Sequence, residues 1–447
     1  MNSEPSEPPS RLAQLLTRLT QIRPHERRAL VLAFCCNFLL LASYYVLRPV
    51  RDTVATVFGV DQLQDLFTGT FIGTLIASPL YALLASHITP RRLLPGVFWF
   101  WLANVLVFAA LFQGGAPGRA LSAAYYFWFS IMNLFMVSVF WTLMVDLFLP
   151  QQATRLFPLI AAGGIIGSIA GPLVTRFAVR GLGLSGLLGL AAAGFVAVIV
   201  LVYLLMGEKE RLRSLGEEVQ PSRLDHRLAS NPFTGFREIF KSSISLNQAG
   251  FMLLMTWVNT VGYFLQTEFA ASLPVIADRT VAISDINLWV NAGSAVFAIF
   301  GFGRYVQRFG VTAGLTLNPL LMLIAFVALA LSPTLLMIQA LQVVRGIGQY
   351  AIARPSREMC FTVVDQESRY KTKNIIDTLV YRLGDVSSAW ILDGLRAAGL
   401  RVLGSSAVGF GWSLLWGGVA LALGRRYEVL RTRQPAAPDA AAKAVVT

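Results

Sequence analysis

Stretches of roughly twenty predominantly apolar residues recur along this chain between residues 28 and 424, each long enough to cross a hydrocarbon layer about 30 Å thick. Such a layer offers no water to an unpaired peptide group, so only helices and closed barrels span it. The apolar runs are continuous rather than alternating, which argues against a barrel. Only 14% of the residues are charged, against roughly 25% in a soluble domain. The expected fold is an all-α membrane protein with about twelve transmembrane helices. The spans read 28–57, 65–87, 93–113, 121–148, 156–178, 184–206, 247–272, 286–303, 311–332, 334–353, 373–398 and 402–424.

The formal charge of +13 is carried mostly by arginine in short segments between these spans. One alternating set holds Arg23, Arg27, Arg28, Arg91, Arg92, Arg155, the stretch 208–241, Arg304, Arg308, Arg354, Arg357, Arg369, Lys371, Lys373, Arg425, Arg426, Arg431 and Arg433. The other holds only Arg119, Arg180, Arg279, Arg396 and Arg401. The positive-inside rule makes the richer side cytoplasmic, with both termini inside. No soluble basic domain is visible, so nucleic acid is not an expected partner. Cys35, Cys36 and Cys360 offer neither a disulfide framework nor metal spacing. His25, His87 and His226 fall in or beside loops, and no Ser-His-Asp or Cys-His set is present. Neither enzyme activity, cofactor nor metal is expected. The opening MNSEPSEPPSRLAQLLTRL lacks the pattern of a cleaved signal peptide, so insertion is expected to begin with the first retained span.

The longest polar interval, 207–246, divides the spans six and six. The expected organisation is a cytoplasmic segment 1–27, a six-helix bundle 28–206, a cytoplasmic linker 207–246, a second bundle 247–424 and a disordered cytoplasmic tail 425–447. The turns SHITPRRLL and GRYVQRFGVTAG, after the second and eighth spans, are a weak internal echo.

Charges within the spans carry the functional signal, since one at the centre of a membrane helix costs roughly 2.5–3.5 kcal/mol on insertion scales. In SYYVLRPVRD, Arg48 and Arg51 are three apart on one helix side, with Asp52 beside Arg51 and Pro49 between them. They read either as an anion site, since guanidinium forks match carboxylate and phosphate oxygens, or as arginines snorkelling at the outer interface. In the fourth span Asn133 and Trp141 are candidate lining residues, its aromatics read as belt and packing, and Asp146 is expected to pair with Arg155 or a nearby loop. In the fifth, Gly163, Gly167 and Gly171 recur every four residues and read as helix packing. In the seventh, Glu268 is either a coupling acid or an interfacial one. Arg345 in the tenth requires an acidic or phosphate partner, with Asp377 and Asp385 as candidates. In KNIIDTLVYRLGDVSSAW, Asp377, Tyr381 and Asp385 recur every four residues on one helix face, with Arg382 nearby.

Three segments, YYVLRPVRDTV, RLFPLIAAGGIIGSIAGP and RPSREMCFTVVDQESRYKTKNIIDTLVYRLGDVSSAW, resemble the nucleotide-exchange branch of the major facilitator superfamily, the ATP/ADP translocases. The resemblance is nearest to bacterial homologues without an assigned substrate. It implies two six-helix halves that rock about a midplane site. It also implies that Arg51 contacts anionic substrate, at the position of a lysine in the family motif. Lys371, Lys373, Ile376, Asp377, Leu383 and Gly384 match the eleventh-span pattern. Asp385 stands where that pattern has a lysine, with Arg382 the candidate substitute, and no acid precedes Asp146 in the fourth span.

The expected function is alternating-access transport of a small anionic solute, nucleotide-like or another organic anion, across a bacterial inner membrane by a monomer. Arg48, Arg51, Asp52, Asn133, Trp141, Arg345, Asp377, Tyr381, Arg382 and Asp385 would line its path, and Glu268 or Asp385 would carry any coupling proton. The alternatives are proton-coupled transport of a neutral or cationic molecule and a transport-inactive scaffold or sensor.

Overall fold

The computed structural model describes residues 23–87, 90–115, 117–214, 242–364, 372–373, 375–399 and 402–433. The chain before residue 23, most of the linker with His226, Arg369 and Lys371, Arg401 and the tail beyond 433 lie outside the described residues. Among the described residues all regular structure is helical. The helices are α1 (Arg27–Phe58), α2 (Leu63–His87), α3 (Pro90–Leu111) and α4 (Arg119–Leu147), followed by a run Pro150–Ser214. Gly183, at φ +65°, divides that run into α5 (150–182) and α6 (184–214). Glycine reaches this left-handed region without a Cβ clash, so the chain turns there with no intervening loop. Next come α7 (Ser243–Ser272), α8 (Ile276–Phe300), α9 (Phe302–Leu331), α10 (Leu335–Cys360), α11 (376–397) and α12 (Val402–Arg433). Among the described residues eight helices, Pro150–Arg211 counted as one, are long and apolar enough to cross a membrane.

Several boundaries differ from the apolar pattern, three of them with a visible cause. α8 begins at Ile276 rather than 286, because its polar first turns are satisfied: Asp278 pairs with Arg180 at 3.1 Å and Asp285 with Arg176 at 2.8 Å. α10 runs on past residue 353 and draws Arg357 out of the expected loop, leaving its side chain 4% exposed. α12 continues to Arg433, and Glu428 on it accepts from Thr312 at 2.5 Å. Two π-helical turns interrupt the regular ladder, Gly348–Ala353 in α10 and Ile376–Val380 at the start of α11. Single π turns of this kind occur frequently at functional sites.

The chain forms two compact units. The first comprises Met1–Phe58, Ile72–Ala229 and Pro274–Leu288, and the second Gly59–Phe71, Ser230–Leu273 and Trp289–Thr447. In the first, the small-residue run of α5 lies against α1, as its spacing predicts. A Cβ on Gly163 would stand 2.6 Å from the Phe34 carbonyl oxygen, one on Gly171 2.6 Å from that of Ala42, and one on Gly167 would collide with that of Phe38. Asn37 adds a bond to the Ile160 carbonyl at 2.9 Å.

A turn before α1 (Pro24–Glu26) fastens its start. Glu26 is buried and accepts from the Arg23 backbone N–H at 3.0 Å, Arg155 at 2.9 Å and Gln152 at 3.1 Å. Burial would raise its pKa, but these donors and the Arg155 charge outweigh that and hold the carboxyl below its ordinary value. The expected Asp146–Arg155 pairing is thereby corrected. Arg155 is taken by Glu26, and Asp146 meets Lys209 at 2.7 Å, because the end of α6 and not a loop lies beside it.

In the second unit α10 is wedged among its neighbours. Gly346 faces Val290 of α8 and Gly348 faces Asn318 of α9, each with no room for a Cβ. Phe251 and Trp416, 5.4 Å apart, and Trp257 and Trp412, 4.8 Å apart, fill the space between α7 and α12.

Candidate functional site

Each unit places an arginine within a long, mainly apolar helix. In the first unit α1 runs through Pro49 without a break, carrying Arg48, Arg51 and Asp52. Arg51 donates from Nε and NH2 to Asp52 Oδ1 at 2.8 and 2.5 Å. Its guanidinium carbon lies 5.2 Å from the Tyr126 ring centre and 5.7 Å from that of Phe129, within cation–π range. Tyr44 stacks on Phe129 at 5.1 Å and meets Tyr45 edge-on at 5.0 Å. Arg48 reaches the Tyr45 hydroxyl at 3.5 Å and lies 5.5 Å over its ring. The Arg51 side chain is 18% exposed and turned toward these rings.

Tyr126, Phe129 and Asn133 fall at i, i+3 and i+7 of α4, one helix stripe. Asn133 is exposed at the end of that stripe. Trp141 is turned elsewhere, packed on Phe157 of α5 at 5.2 Å and on Phe140 at 5.5 Å. Sequence reasoning missed Tyr126 and Phe129 as partners of Arg51. The run YYFWF was visible, but it also fits a membrane-interface belt.

In the second unit Arg345 of α10 faces α7. Its Nε donates to Gln342 at 2.6 Å, and its NH1 donates to Asn259 at 2.9 Å and Gln349 at 3.4 Å. Gln342 in turn donates to Gln266 at 2.5 Å. Asn259, Gly262 and Gln266 form one stripe of α7 by their i, i+3, i+7 spacing. A Cβ on Gly262 would stand 2.7 Å from Gln342 Oε1 and 3.2 Å from Arg345 Nε, so glycine supplies the clearance.

The two acids expected to serve Arg345 each have a cation partner of their own. Asp377 lies 2.6 Å from Arg357, and Asp385 lies 3.5 Å from Arg382 on its own helix. Asp377, Tyr381 and Asp385 lie four residues apart along α11, with the π turn at 376–380 between the first acid and Tyr381. Tyr381 is half-buried under the Arg382 guanidinium, 5.8 Å from its ring centre. Lys373 pairs with Glu358 at 2.5 Å, and Arg357 reaches the same Glu358 at 3.4 Å. Glu268 is engaged by Arg396 at 2.5 Å, and that guanidinium lies 5.2 Å over Phe264. Among the described residues no group of three or more His, Cys, Asp or Glu side chains is placed to hold a metal ion.

The chemistry on offer is recognition. Guanidinium groups oriented by amides, aromatic faces and one carboxylate can bind oxyanions, and buried acids can exchange protons.

The sequence pattern of the Major Facilitator Superfamily matches residues 33–367. The ADP,ATP carrier protein 1 of Chlamydia pneumoniae is 23% identical over 158 residues, which is 31% of this chain and 31% of the carrier. That of Chlamydia trachomatis is 24% identical over 158 residues, 31% of this chain and 30% of the carrier. The match thus spans less than a third of these curated relatives. Among solved structures, the nucleoside transporter NupG superposes with a TM-score of 0.58 at 14% identity, covering 92% of this chain and 100% of its own. The xylose transporter XylE from E. coli gives 0.55 at 12% identity, covering 92% and 97%. At these identities the likeness is one of fold.

Proposed function

The chain belongs to the Major Facilitator Superfamily, and we propose that the solute it carries is a small organic anion, nucleotide-like or of related charge, moved by alternating access. Its class is that of a multi-pass membrane transporter rather than an enzyme, with the bilayer and a small-molecule solute as its partners. The observation that carries the proposal is the setting of Arg345. Three amides orient its Nε and NH1 within a membrane helix, and a guanidinium fork so held matches the oxygens of an anion. Arg51, stacked on Tyr126 and Phe129, offers a second cation with flat faces beside it. The partial match to ADP,ATP carriers supports a nucleotide-like anion, and Asp385 in place of the family's lysine argues against assuming the same exchange. The distribution of arginine between its spans supports a bacterial inner membrane with both termini cytoplasmic.

A melting screen tests the anion. Purified full-length protein is heated with ATP, UDP-glucose, citrate or, as a neutral control, uridine. A ligand held only by the folded state at about 100 times its Kd adds about 2.7 kcal/mol of stability. At least one anion should raise the melting temperature, and Arg345→Gln should remove the rise. If no anion has an effect, the reading fails.

A second reading rests on Asp385, which is buried beside Arg382. It makes the transporter proton-coupled, with Asp385 as the coupling acid and the Arg396-bound Glu268 as the lesser candidate. Under it, Asp385→Asn abolishes proton-driven uptake into liposomes and leaves anion binding intact.

A further inference from the structure

The segment GRYVQRFGVTAG after α8 carries charge that the transport site does not use. Gly310, at φ +82°, breaks α9 and leaves an eight-residue lead-in, 302–309, ahead of the apolar span. In helical register Phe302, Tyr305, Val306 and Phe309 share one face of this lead-in, and Arg304 and Arg308 lie on the opposite one. A segment so divided rests at the boundary between hydrocarbon and headgroups. The Tyr305 hydroxyl donates to the Ala313 carbonyl at 3.4 Å, which ties the lead-in to the span across the kink. The end of α12 lies beside the same kink. Thr312 donates to Glu428, and a Cβ on Gly424 would stand 2.5 Å from the Thr312 hydroxyl. Arg425 and Arg431 stand three residues to either side of Glu428 and so share its side of α12. Among the described residues none of Arg304, Arg308, Arg425 and Arg431 has an ion pair, and all four are exposed. Ile299 and Phe300, which end α8, are exposed as well, and so is Phe309.

We propose that the lead-in of α9 and the end of α12 form a binding site for the phosphate headgroup of an anionic phospholipid. Four arginines against one carboxylate leave a surplus of positive charge, and guanidinium forks match phosphodiester oxygens. The exposed Ile299, Phe300 and Phe309 side chains decide between a lipid and a dissolved anion. They offer apolar surface to an acyl chain, which a free phosphate would not use. Basic clusters where helices leave the membrane recognise lipid headgroups in this way. The site shares no residue with the setting of Arg345 and stands whatever solute is carried. A headgroup bound there ties the lead-in to α12 and stabilises the second unit.

The test is titration of short-chain phosphatidylglycerol into full-length protein in a neutral detergent, read as the rise in melting temperature. Phosphatidylcholine and glycerol 3-phosphate are the other two probes. Phosphatidylglycerol should raise the melting temperature well above either. An arginine beside an anionic headgroup is worth roughly fivefold in affinity, so losing two should move the half-point of the titration by about twentyfold. That shift is expected for Arg304→Gln with Arg308→Gln, and separately for Arg425→Gln with Arg431→Gln. Arg91→Gln with Arg92→Gln removes the same charge from the start of α3 and should leave the half-point unchanged. Where a double variant lowers the starting melting temperature, phosphatidylglycerol retained in native mass spectrometry supplies the same comparison. Equal rises with phosphatidylglycerol and phosphatidylcholine, or half-points unchanged in both site variants, overturn the proposal. A loss as large in the Arg91 and Arg92 variant shows undirected surface charge and overturns it too. A rise with glycerol 3-phosphate equal to that with phosphatidylglycerol shows a site for free anions and refutes the lipid.

Discussion

Replacing Gly167 by alanine adds a single methyl group where α5 crosses α1, and the surrounding geometry sets its cost. The new Cβ would collide with the Phe38 carbonyl oxygen and stand 3.0 Å from the Ala42 backbone nitrogen. Both obstacles are backbone, so neither can swing aside as a side chain would. Relief requires α5 to retreat by about 1 Å, and a gap of that size forfeits up to half of the dispersion energy of each contact it opens. The contacts opened include those at Gly163 and Gly171, one turn to either side, where Cβ clearance is 2.6 Å. Overpacking of this kind costs about 1–3 kcal/mol, partly offset by the gain of up to about 1 kcal/mol when alanine replaces glycine in a helix. With the full offset, a net loss of up to about 2 kcal/mol is expected. Gly189 on α6 is the matched control, with nothing within 4 Å of its built Cβ. Gly189→Ala should be neutral or mildly stabilising. The assay is thermal unfolding of the purified protein in nanodiscs, followed by tryptophan fluorescence. If Gly167→Ala melts at or above Gly189→Ala, the close crossing is not what fixes α1. Because α1 also carries Arg51 toward Tyr126 and Phe129, Gly167→Ala should blunt the anion-induced rise in melting temperature as well.

Glu26→Gln should cost about 1–3 kcal/mol at neutral pH, because Arg155 and the Arg23 N–H lose a charged acceptor. The folded pKa of Glu26 lies below its ordinary value, so the stability it supplies is present above that ordinary value and lost as pH falls through the lower one. The melting gap between wild type and variant should therefore close in acid, and a gap independent of pH would contradict the pairing. Asp377→Asn leaves the buried Arg357 with only its longer contact to Glu358, at 3.4 Å, and should cost up to about 3 kcal/mol, the low end for a broken buried pair because Asp377 is one-third exposed. The exchange Arg357→Asp with Asp377→Arg should recover part of that loss, and equal melting of the single and double variants would show the two to be uncoupled. Glu268→Gln should lower stability by no more than about 1 kcal/mol, since its pair with Arg396 is partly exposed, and should leave anion binding unchanged in the melting screen.

The helices were legible because a bilayer admits so few ways of burying a backbone. The glycine run of α5 was legible for a similar reason, as four-residue spacing of small residues has one common use in a membrane helix. Legibility failed where a partner lies far along the chain. The polar start of α8 looked like a loop until Arg176 and Arg180 of α5 were seen to satisfy Asp285 and Asp278. Arg357 looked like a loop cation because Asp377, which draws it inward, lies on another helix. The amides around Arg345 were not foreseen, since pattern reasoning weighs charges more readily than amides. Its orienting groups are Gln342, Asn259 and Gln349, and Gln342 is only three residues away. The π turn at the start of α11 was not legible, because side-chain spacing does not announce it.

The most direct test of anion transport is exchange across a sealed membrane. Full-length protein reconstituted into liposomes is loaded with ATP, UDP-glucose or citrate, and uptake of the same labelled anion is followed with wild type and with Arg345→Gln. The account predicts saturable uptake of at least one anion by wild type, none by Arg345→Gln, and none of labelled uridine by either. Uptake of uridine with no uptake of any anion, or anion uptake that survives Arg345→Gln, would contradict it.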